Sequence, residues 1–174
     1  DGGNAELFNS GDTCLQFVQV VAVFFQNNKR LNKEKKVSFF LLSRINEENP
    51  KEYLSHIFWE EGKLPLKEFS LNALDSSLRE GMERGRISKA GELARRKAEL
   101  LLAKEVSSEA DWVVLDGTLE EKLPGEKEIL DCLPPNVCGL AKSCSLITAK
   151  GRNAVGYVGS RGLHGNWMYF LDLI

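Results

Sequence analysis

The stretch from Cys14 to Phe25 reads CLQFVQVVAVFF, and the stretch from Val37 to Leu42 reads VSFFLL. A polar, basic segment, residues 26–36, lies between them. Apolar runs of this length, rich in Val and Phe and bounded by polar turns, are typical of buried strands. The two runs therefore predict a β-hairpin, although the first run could also be scored as a helix.

Three later segments carry helical signals. Residues 49–52 read NPKE, a capping residue followed by a proline and a capping-box glutamate, which predicts a short helix over 51–61. Apolar residues four positions apart predict a second helix over 71–84. Ser88 is expected to cap a third, longer helix that extends to about Lys104.

Strand signals return after the third helix. The segment from Asp111 to Asp116 encloses Trp-Val-Val-Leu between two acids, and side-chain alternation places Asp116 on the face of Trp112 and Val114. Further β-type segments are predicted at 137–148, 153–160 and 167–173. Strands, then helices, then more strands, without regular βαβ alternation, predict an α/β fold with a mixed sheet.

The composition is that of an ordinary globular protein. The 174 residues suit one domain spanning 1–174, with 43% hydrophobic and 28% charged residues. The longest apolar stretch, from Leu15 to Phe25, is interrupted by Gln16 and Gln19, so no membrane span is predicted. No basic stretch followed by an apolar core opens the chain, which makes a cytoplasmic location the default expectation.

The ends of the chain are abrupt. It opens on Asp1-Gly2-Gly3 without a methionine, and residues 171–174 are a largely apolar run with no polar tail. We therefore expect a chain that is trimmed at both ends.

The cysteines do not form a metal signature. The last three are separated by five intervening residues each, whereas structural zinc sites pair ligands two to four residues apart. His56 and His164 are too isolated to complete such a site. Ordinary thiols in a reducing compartment are expected at all four positions, Cys14, Cys132, Cys138 and Cys144.

Two acids stand out as candidate site residues. Asp116 ends a strand that is expected to be buried, and Gly117 behind it would let a substrate approach closely, although Asp-Gly is also a common turn signal. Glu99 lies 17 residues before Asp116, on the third helix and one turn after Arg95. The Arg95 and Glu99 pair is either a solvated i,i+4 ion pair or part of a site near the end of the Asp116 strand.

Carboxylates that converge at strand ends point to a particular chemistry. They suit hard cations such as Mg²⁺ or Mn²⁺, and paired ions of this kind support phosphodiester hydrolysis. The sequence contains no phosphate-loop, no G-x-S-x-G and no H-E-x-x-H motif. No other hydrolase signature therefore competes.

Four motifs, in this order, resemble the NurA family of DNA-repair nucleases, and the resemblance covers nearly the whole chain. The motifs are Asp1-Gly2-Gly3, Arg95-x-x-x-Glu99, WVVLDGTL at 112–119 and VCGLAKS at 137–143. The resemblance implies a ribonuclease H-like fold, with a mixed central sheet flanked by helices. It also implies a Mn²⁺ or Mg²⁺ site held by Asp1, Glu99 and Asp116.

The same resemblance implies a function. The family trims 5′ DNA ends and cuts single strands in double-strand-break end resection, working as a dimer with the hexameric HerA translocase. Lys142 would be a catalytic residue that holds a phosphate, with Arg95 and Arg96 also binding DNA, although Lys142 also fits a solvated strand end. The Tyr and His that complete the family's site are not matched, and His164 is expected to be a loop residue.

The charge distribution is uneven although the net charge is only −2. The segment 132–171 contains four basic residues and no acid, whereas 99–131 is strongly acidic. Residues 29–36, KRLNKEKK, form a second basic cluster at the tip of the predicted hairpin. This cluster is either a solvated turn or a phosphate contact that would make DNA binding salt-dependent.

The sequence thus predicts a metal-dependent deoxyribonuclease. The main alternative is a non-catalytic ribonuclease H-like module for oligomerisation or docking to a DNA translocase, in which the acids are structural. A further alternative is a ribonuclease H-like enzyme that acts on RNA or recombination junctions. The first two differ in whether the three carboxylates converge within metal-bridging distance.

Overall fold

The structure is a computed structural model that describes residues 1–79, 81, 83–141, 150–153, 156, 157 and 160. The chain divides into two compact units, Asp1–Leu140 and Ala141–Ile174. The first unit contains nearly all of the described secondary structure.

A five-stranded antiparallel sheet forms most of the first unit, and its strands lie side by side in chain order. Each strand pairs with the next one along the chain, so the sheet is a meander. The strands are β1 (Gly2–Asn9), β2 (Thr13–Gln26), β3 (Lys29–Ile45), β4 (Glu52–Glu61) and β5 (Phe69–Asn72).

The predicted hairpin of β2 and β3 is confirmed. Residues in β2 alternate between buried and partly buried along its first half, as expected for a strand with one face on the core. Its two-residue turn, Asn27–Asn28, has φ values of 49° and 62°, and asparagine tolerates this left-handed region better than most residues. A two-residue turn of this hand matches the right-handed twist of the flanking strands.

The helix predicted over 51–61 is wrong, because residues 52–61 form β4 and Lys51 lies in the turn before it. Tyr53 and Ser55 are buried while their neighbours are more exposed, a period of two. The Asn49 side chain accepts a hydrogen bond from the Lys51 amide, and the Asn49 carbonyl accepts one from the Glu52 amide. The cap-like pattern therefore closes a turn into a strand.

The helix predicted over 71–84 is also wrong. Its first two residues end β5, and the described residues that follow are turns and irregular backbone. The Gly85 amide donates to the Ala73 carbonyl, and the Tyr53 hydroxyl donates to the Gly85 carbonyl. This segment folds back on itself over the sheet, so its four-residue spacing of apolar side chains does not reflect a helical turn.

The third predicted helix is confirmed as α1 (Lys89–Val106). Its apolar stripe packs against the inner face of the sheet, where it covers fully buried residues of β2 and β3. The buried apolar positions of the helix are Ala90, Leu93, Ala94, Ala98, Leu100, Leu102, Ala103 and Val106.

Beyond α1 and a short 3₁₀ turn (Ser107–Glu109), the chain forms a second, parallel pair of strands. These are β6 (Val113–Asp116) and β7 (Val137–Leu140), joined through the short helix α2 (Lys127–Leu130). The strand predicted at 111–116 is thus confirmed over its last four residues. The pair packs on α1 through a small second cluster of apolar side chains, which includes Leu100, Ala103, Leu115 and Val137.

The C-terminal expectations are met only in part. The strand predicted at 137–148 is present as β7, and its remaining residues, except Ala141, lie outside the described part of the chain. The strand predicted at 153–160 is wrong at Gly156 and Tyr157, which are helical, with the Tyr157 amide bonded to the Asn153 carbonyl at 2.9 Å. The strand predicted at 167–173 lies outside the described residues.

The first unit is therefore a mixed α/β structure that consists mainly of sheet, with antiparallel and parallel strand pairs and few helices. Within the described residues, no helix is both long and apolar enough to cross a membrane.

Gly91 of α1 allows the helix to approach β2 closely, which gives a stability prediction. A Cβ at this position would overlap the buried side-chain amide of Gln16, whose nitrogen donates to the Ser88 carbonyl at 3.2 Å. We expect Gly91→Ala to destabilise the fold by about 1–3 kcal/mol, although alanine is the better helix former. Urea unfolding monitored by circular dichroism would measure the change.

The matched control is Ser88→Ala, since the Ser88 side chain makes no capping hydrogen bond. Its free energy of unfolding should stay within about 0.5 kcal/mol of wild type. A Gly91→Ala variant as stable as this control would contradict the close contact.

Candidate functional site

Asp1 lies directly before β1, where the first strand meets the middle of β2. Its α-amino group donates to the Val21 carbonyl at 2.9 Å, and the Val21 amide donates to the Asp1 carbonyl at 2.8 Å. The Gly2 amide donates to the Asp1 carboxylate at 2.8 Å. The carboxylate is therefore held beside the strand backbone while the residue itself stays exposed.

Glu99 comes from α1 and lies against the same end of β1. A Cβ on Gly2 would lie 2.8 Å from Glu99 Oε1 and 2.7 Å from a methyl group of Val20. A side chain at this position would force the Glu99 carboxylate and Val20 to shift. The structure thus brings Glu99 next to the Asp1-Gly2 backbone, although the two acids are 98 positions apart in the sequence.

The ion pair of Arg95 and Glu99 forms, but it is not the solvated pair that its spacing also allowed. The Glu99 side chain is 8% exposed, and Arg95 Nη1 lies 2.6 Å from Glu99 Oε1. Arg96 Nη1 lies 4.0 Å from the other carboxylate oxygen. Burial of this carboxylate is tolerated because two guanidinium groups face it.

A cavity of about 330 Å³ opens beside these two acids. One wall is the part of β2 that extends past β1, the opposite wall is β6 and the residues before it, and α1 forms the floor. The floor and walls are mostly apolar, and Asp1 and Glu99 are the acids among the lining residues.

Asp116 ends β6 but is not among the residues that line this cavity, whose lining on this strand stops at Leu115. It is exposed, as are Trp112 at 68% and Val114 at 59% on the same face. The expectation that a buried strand delivers Asp116 is therefore wrong, although the shared face is confirmed. Gly117, directly after the acid, has a φ of 116°, a conformation that favours glycine.

The structure therefore joins two of the three predicted metal ligands, Asp1 and Glu99, around one cavity. Within the described residues, no group of three or more Asp, Glu, His or Cys side chains is arranged to hold a metal ion. The carboxylates have the right donor chemistry for Mn²⁺ or Mg²⁺, but the third ligand does not complete the set in this arrangement.

The two arginines predicted to bind DNA occupy different surroundings. The Arg95 side chain is 30% exposed while it pairs with Glu99, so part of it reaches the surface. Arg96 is buried, and its Nη2 donates to the Thr118 carbonyl at 2.6 Å. Lys142, the third predicted DNA contact, lies outside the described residues, as does His164.

The basic cluster at the tip of the hairpin is engaged by acids. Lys33 lies 2.8 Å from Glu109 and Lys35 lies 2.5 Å from Glu105, both at the C-terminal end of α1 and its 3₁₀ extension. Lys36 pairs in turn with Glu61 of β4 at 2.7 Å. These contacts favour a structural role for the cluster over a phosphate contact.

The described cysteines are free thiols without a metal-site arrangement. Cys14 is fully buried, and burial together with the neighbouring Glu6 carboxylate raises the pKa of its thiol to about 11. The thiol therefore stays neutral at physiological pH and is a poor nucleophile. Cys144 lies outside the described residues.

Sequence reasoning missed Glu126, a fully buried acid directly before α2. Its neighbourhood in the sequence, Pro-Gly-Glu-Lys-Glu, is typical of an exposed turn, so no local signal distinguishes it from Glu128. Lys97 of α1 lies near this acid. Burial lowers the pKa of the Lys97 ammonium group, and the negative charges of Glu126 and Glu128 partly offset that decrease.

No protein-family model, no curated protein and no solved structure matches this chain. The fold and the site together define only a general class. The chain is a mixed α/β protein in which two acids, Asp1 and Glu99, line a cavity beside the meander sheet and helix α1.

The glycine beneath Glu99 gives a direct test of this arrangement. In Gly2→Ala the new methyl group would meet the Glu99 carboxylate and Val20, so we expect a loss of about 1–3 kcal/mol in the free energy of unfolding. Gly3→Ala is the matched control, because a methyl group added there would meet nothing within 4 Å. Equal stabilities of the two variants in chemical denaturation would show that Glu99 does not lie against Gly2.

The ion pairs of the hairpin tip give a pH prediction. Lys33 holds the pKa of Glu109 below its usual range, so the pair stabilises the fold above the ordinary glutamate pKa and is lost as the pH falls through the lowered value. We expect Lys33→Met to lower the melting temperature at pH 7 and to have a smaller effect at an acid pH at which Glu109 is protonated. Thermal melts at both pH values would measure this.

Arg30→Met removes the same charge from the hairpin tip but breaks only a pair with Glu34 inside the hairpin. A smaller change in melting temperature at pH 7 is expected for this control. Equal effects of the two variants would argue against a stabilising role of the ion pairs between the hairpin and the C-terminal end of α1.

Proposed function

We propose that this protein is a Mn²⁺- or Mg²⁺-dependent deoxyribonuclease of the NurA kind, with a ribonuclease H-like fold. The observation that carries the proposal is the contact between Glu99 and the Asp1-Gly2 backbone at one cavity. These residues belong to two of the motifs that resemble the NurA family. Their meeting in space is what a shared site requires.

The architecture of the first unit supports the same proposal. The motif residues come from a strand start, a central helix and the end of a parallel strand, all packed around α1. The antiparallel and parallel pairs belong to two separate sheets, so the mixed central sheet of a ribonuclease H-like fold remains part of the proposal.

In this proposal Asp1, Glu99 and Asp116 would hold the metal. A bound metal of this kind activates a water for attack on the phosphodiester and stabilises the leaving oxygen. Arg95 fits a phosphate contact at the rim, since part of its side chain is exposed. Lys142 remains a proposed DNA contact and catalytic residue, whereas the burial of Arg96 and its bond to the Thr118 carbonyl favour a structural role for that arginine.

The proposed substrates and partners follow from the same resemblance. The substrates are single-stranded DNA and duplex ends, cut from the 5′ end or internally during double-strand-break end resection. The proposed partners are a second copy of the chain and a HerA-type hexameric translocase, and the proposed location is the cytoplasm.

A non-catalytic module remains the second candidate, and a specific observation favours it. Glu99 is already neutralised by Arg95 at 2.6 Å, and the described residues contain no group of three metal ligands. In this case the acids would stabilise the packing of α1 on the sheet. The module would serve oligomerisation or docking to a DNA translocase.

Substitution of the acids separates the two candidates. With Mn²⁺ and single-stranded DNA, we expect Asp116→Asn and Glu99→Gln each to reduce cleavage by at least about 100-fold, because each would remove a metal ligand. Glu92→Gln is the matched control, as this acid lies on the same helix, has a side chain that is 46% exposed and pairs with Lys89 instead.

Cleavage that is undiminished in Asp116→Asn would sink the metal-ligand assignment. A wild-type chain that binds Mn²⁺ in calorimetry and cleaves DNA would exclude the non-catalytic module. A wild-type chain that does neither, while Glu99→Gln only lowers stability, would support that module.

A further inference from the structure

Glu126 is held in the interior by contacts that an exposed turn acid would not make. Its residue exposure is 0%, one carboxylate oxygen accepts the Lys122 amide at 3.0 Å, and the other lies 3.7 Å from Arg96 Nε. The backbone carbonyl of Glu126 also accepts the first amide bonds of α2. The acid is therefore held by its own loop and lies within ion-pair distance of Arg96, where neither Arg96 Nε nor the facing carboxylate oxygen has a hydrogen-bond partner among the described residues.

Arg96 connects Glu126 to both halves of the candidate site. Its guanidinium donates to the Thr118 carbonyl at 2.6 Å and faces Glu99 at 4.0 Å. The planar, rigid fork of arginine suits such a position, because several partners can be contacted at once in fixed directions. With 9% of its side chain exposed, Arg96 has little freedom to leave these partners.

The Thr118 carbonyl matters because of where it lies in the chain. It comes two residues after Asp116, beyond the turn made at Gly117. A hydrogen bond at this carbonyl therefore fixes the path of the chain as it leaves Asp116. The same guanidinium faces Glu99, which lies against Gly2 beside Asp1.

We propose that Glu126 is a positioning residue: it holds the Arg96 guanidinium so that Glu99 and the loop after Asp116 keep a fixed spacing. Its catalytic consequence rests on the proposed function, whereas the positioning itself does not. The competing explanation is that Glu126 only balances the buried charge of Arg96. That explanation predicts a loss of stability without a change at Gly2 or Thr118.

The test compares Glu126→Gln with Glu128→Gln, a change of the same charge at an exposed position two residues further along the chain. Backbone amide NMR shifts of the metal-free protein report on Gly2, Gly117 and Thr118, and calorimetry reports Mn²⁺ binding. We expect Glu126→Gln to shift these three amides and to weaken Mn²⁺ binding by about 10–100-fold, with no change in Glu128→Gln.

A double variant tests whether Glu126 acts through Arg96. Arg96→Lys keeps the charge but loses the fork, so it should shift the same amides as Glu126→Gln. The double variant should then resemble Arg96→Lys alone, because removing Glu126 has no further effect once the guanidinium is gone. Additive shifts would overturn the proposed route.

Glu126→Asp serves if Glu126→Gln does not fold, since it keeps the charge but shortens the reach to Arg96, and it should also shift the three amides. The proposal is overturned if the Glu126 variants lose stability while these amides move no more than in Glu128→Gln. A wild-type chain without Mn²⁺ binding or cleavage would refute the proposed function alone, because the amide shifts still decide the positioning role.

Discussion

Helix α1 has to bury an apolar stripe against the sheet while it carries two arginines and a glutamate into the same interface. Leu93, Ala94 and Ala98 are fully buried on this helix, and Arg96 and Glu99 are 7% exposed among them. A charge at such depth is costly unless it meets an opposite charge or a hydrogen-bond partner. The arrangement of Arg95, Arg96, Glu99 and Glu126 satisfies this requirement, and the candidate site depends on it.

The parts of the fold that the sequence predicts correctly are those in which one period dominates. The run from Cys14 to Phe25 and helix α1 each bury one face over many residues, so their apolar patterns are long, although the first run is also compatible with a helix. Strand β4 is mispredicted because a local cap-like signal at 49–52 outweighs an alternation that only becomes clear in its buried residues. Pairing with β3 settles the conformation there, a long-range effect that no local signal contains.

The candidate site shows the same division. Asp1, Glu99 and Asp116 can be named from the sequence because they lie in motifs that resemble a known family. The contact between Glu99 and Gly2 cannot be predicted from the sequence. It depends on the absence of a side chain at Gly2, and an Asp-Gly dipeptide is first of all a turn signal. Glu126 is equally hidden, because its burial results from the way the loop before α2 folds over α1.

The two sheets end on edges that face the same cavity. Strand β2 runs past the start of β1, β6 pairs only with β7 among the described residues, and Phe25 and Trp112 beside these edges are 64% and 68% exposed. Strand edges flanked by apolar side chains are templates for further strand pairing between molecules. We therefore expect molecules of this protein to associate as the protein concentration rises. The measured oligomeric state would then depend on the concentration at which it is determined.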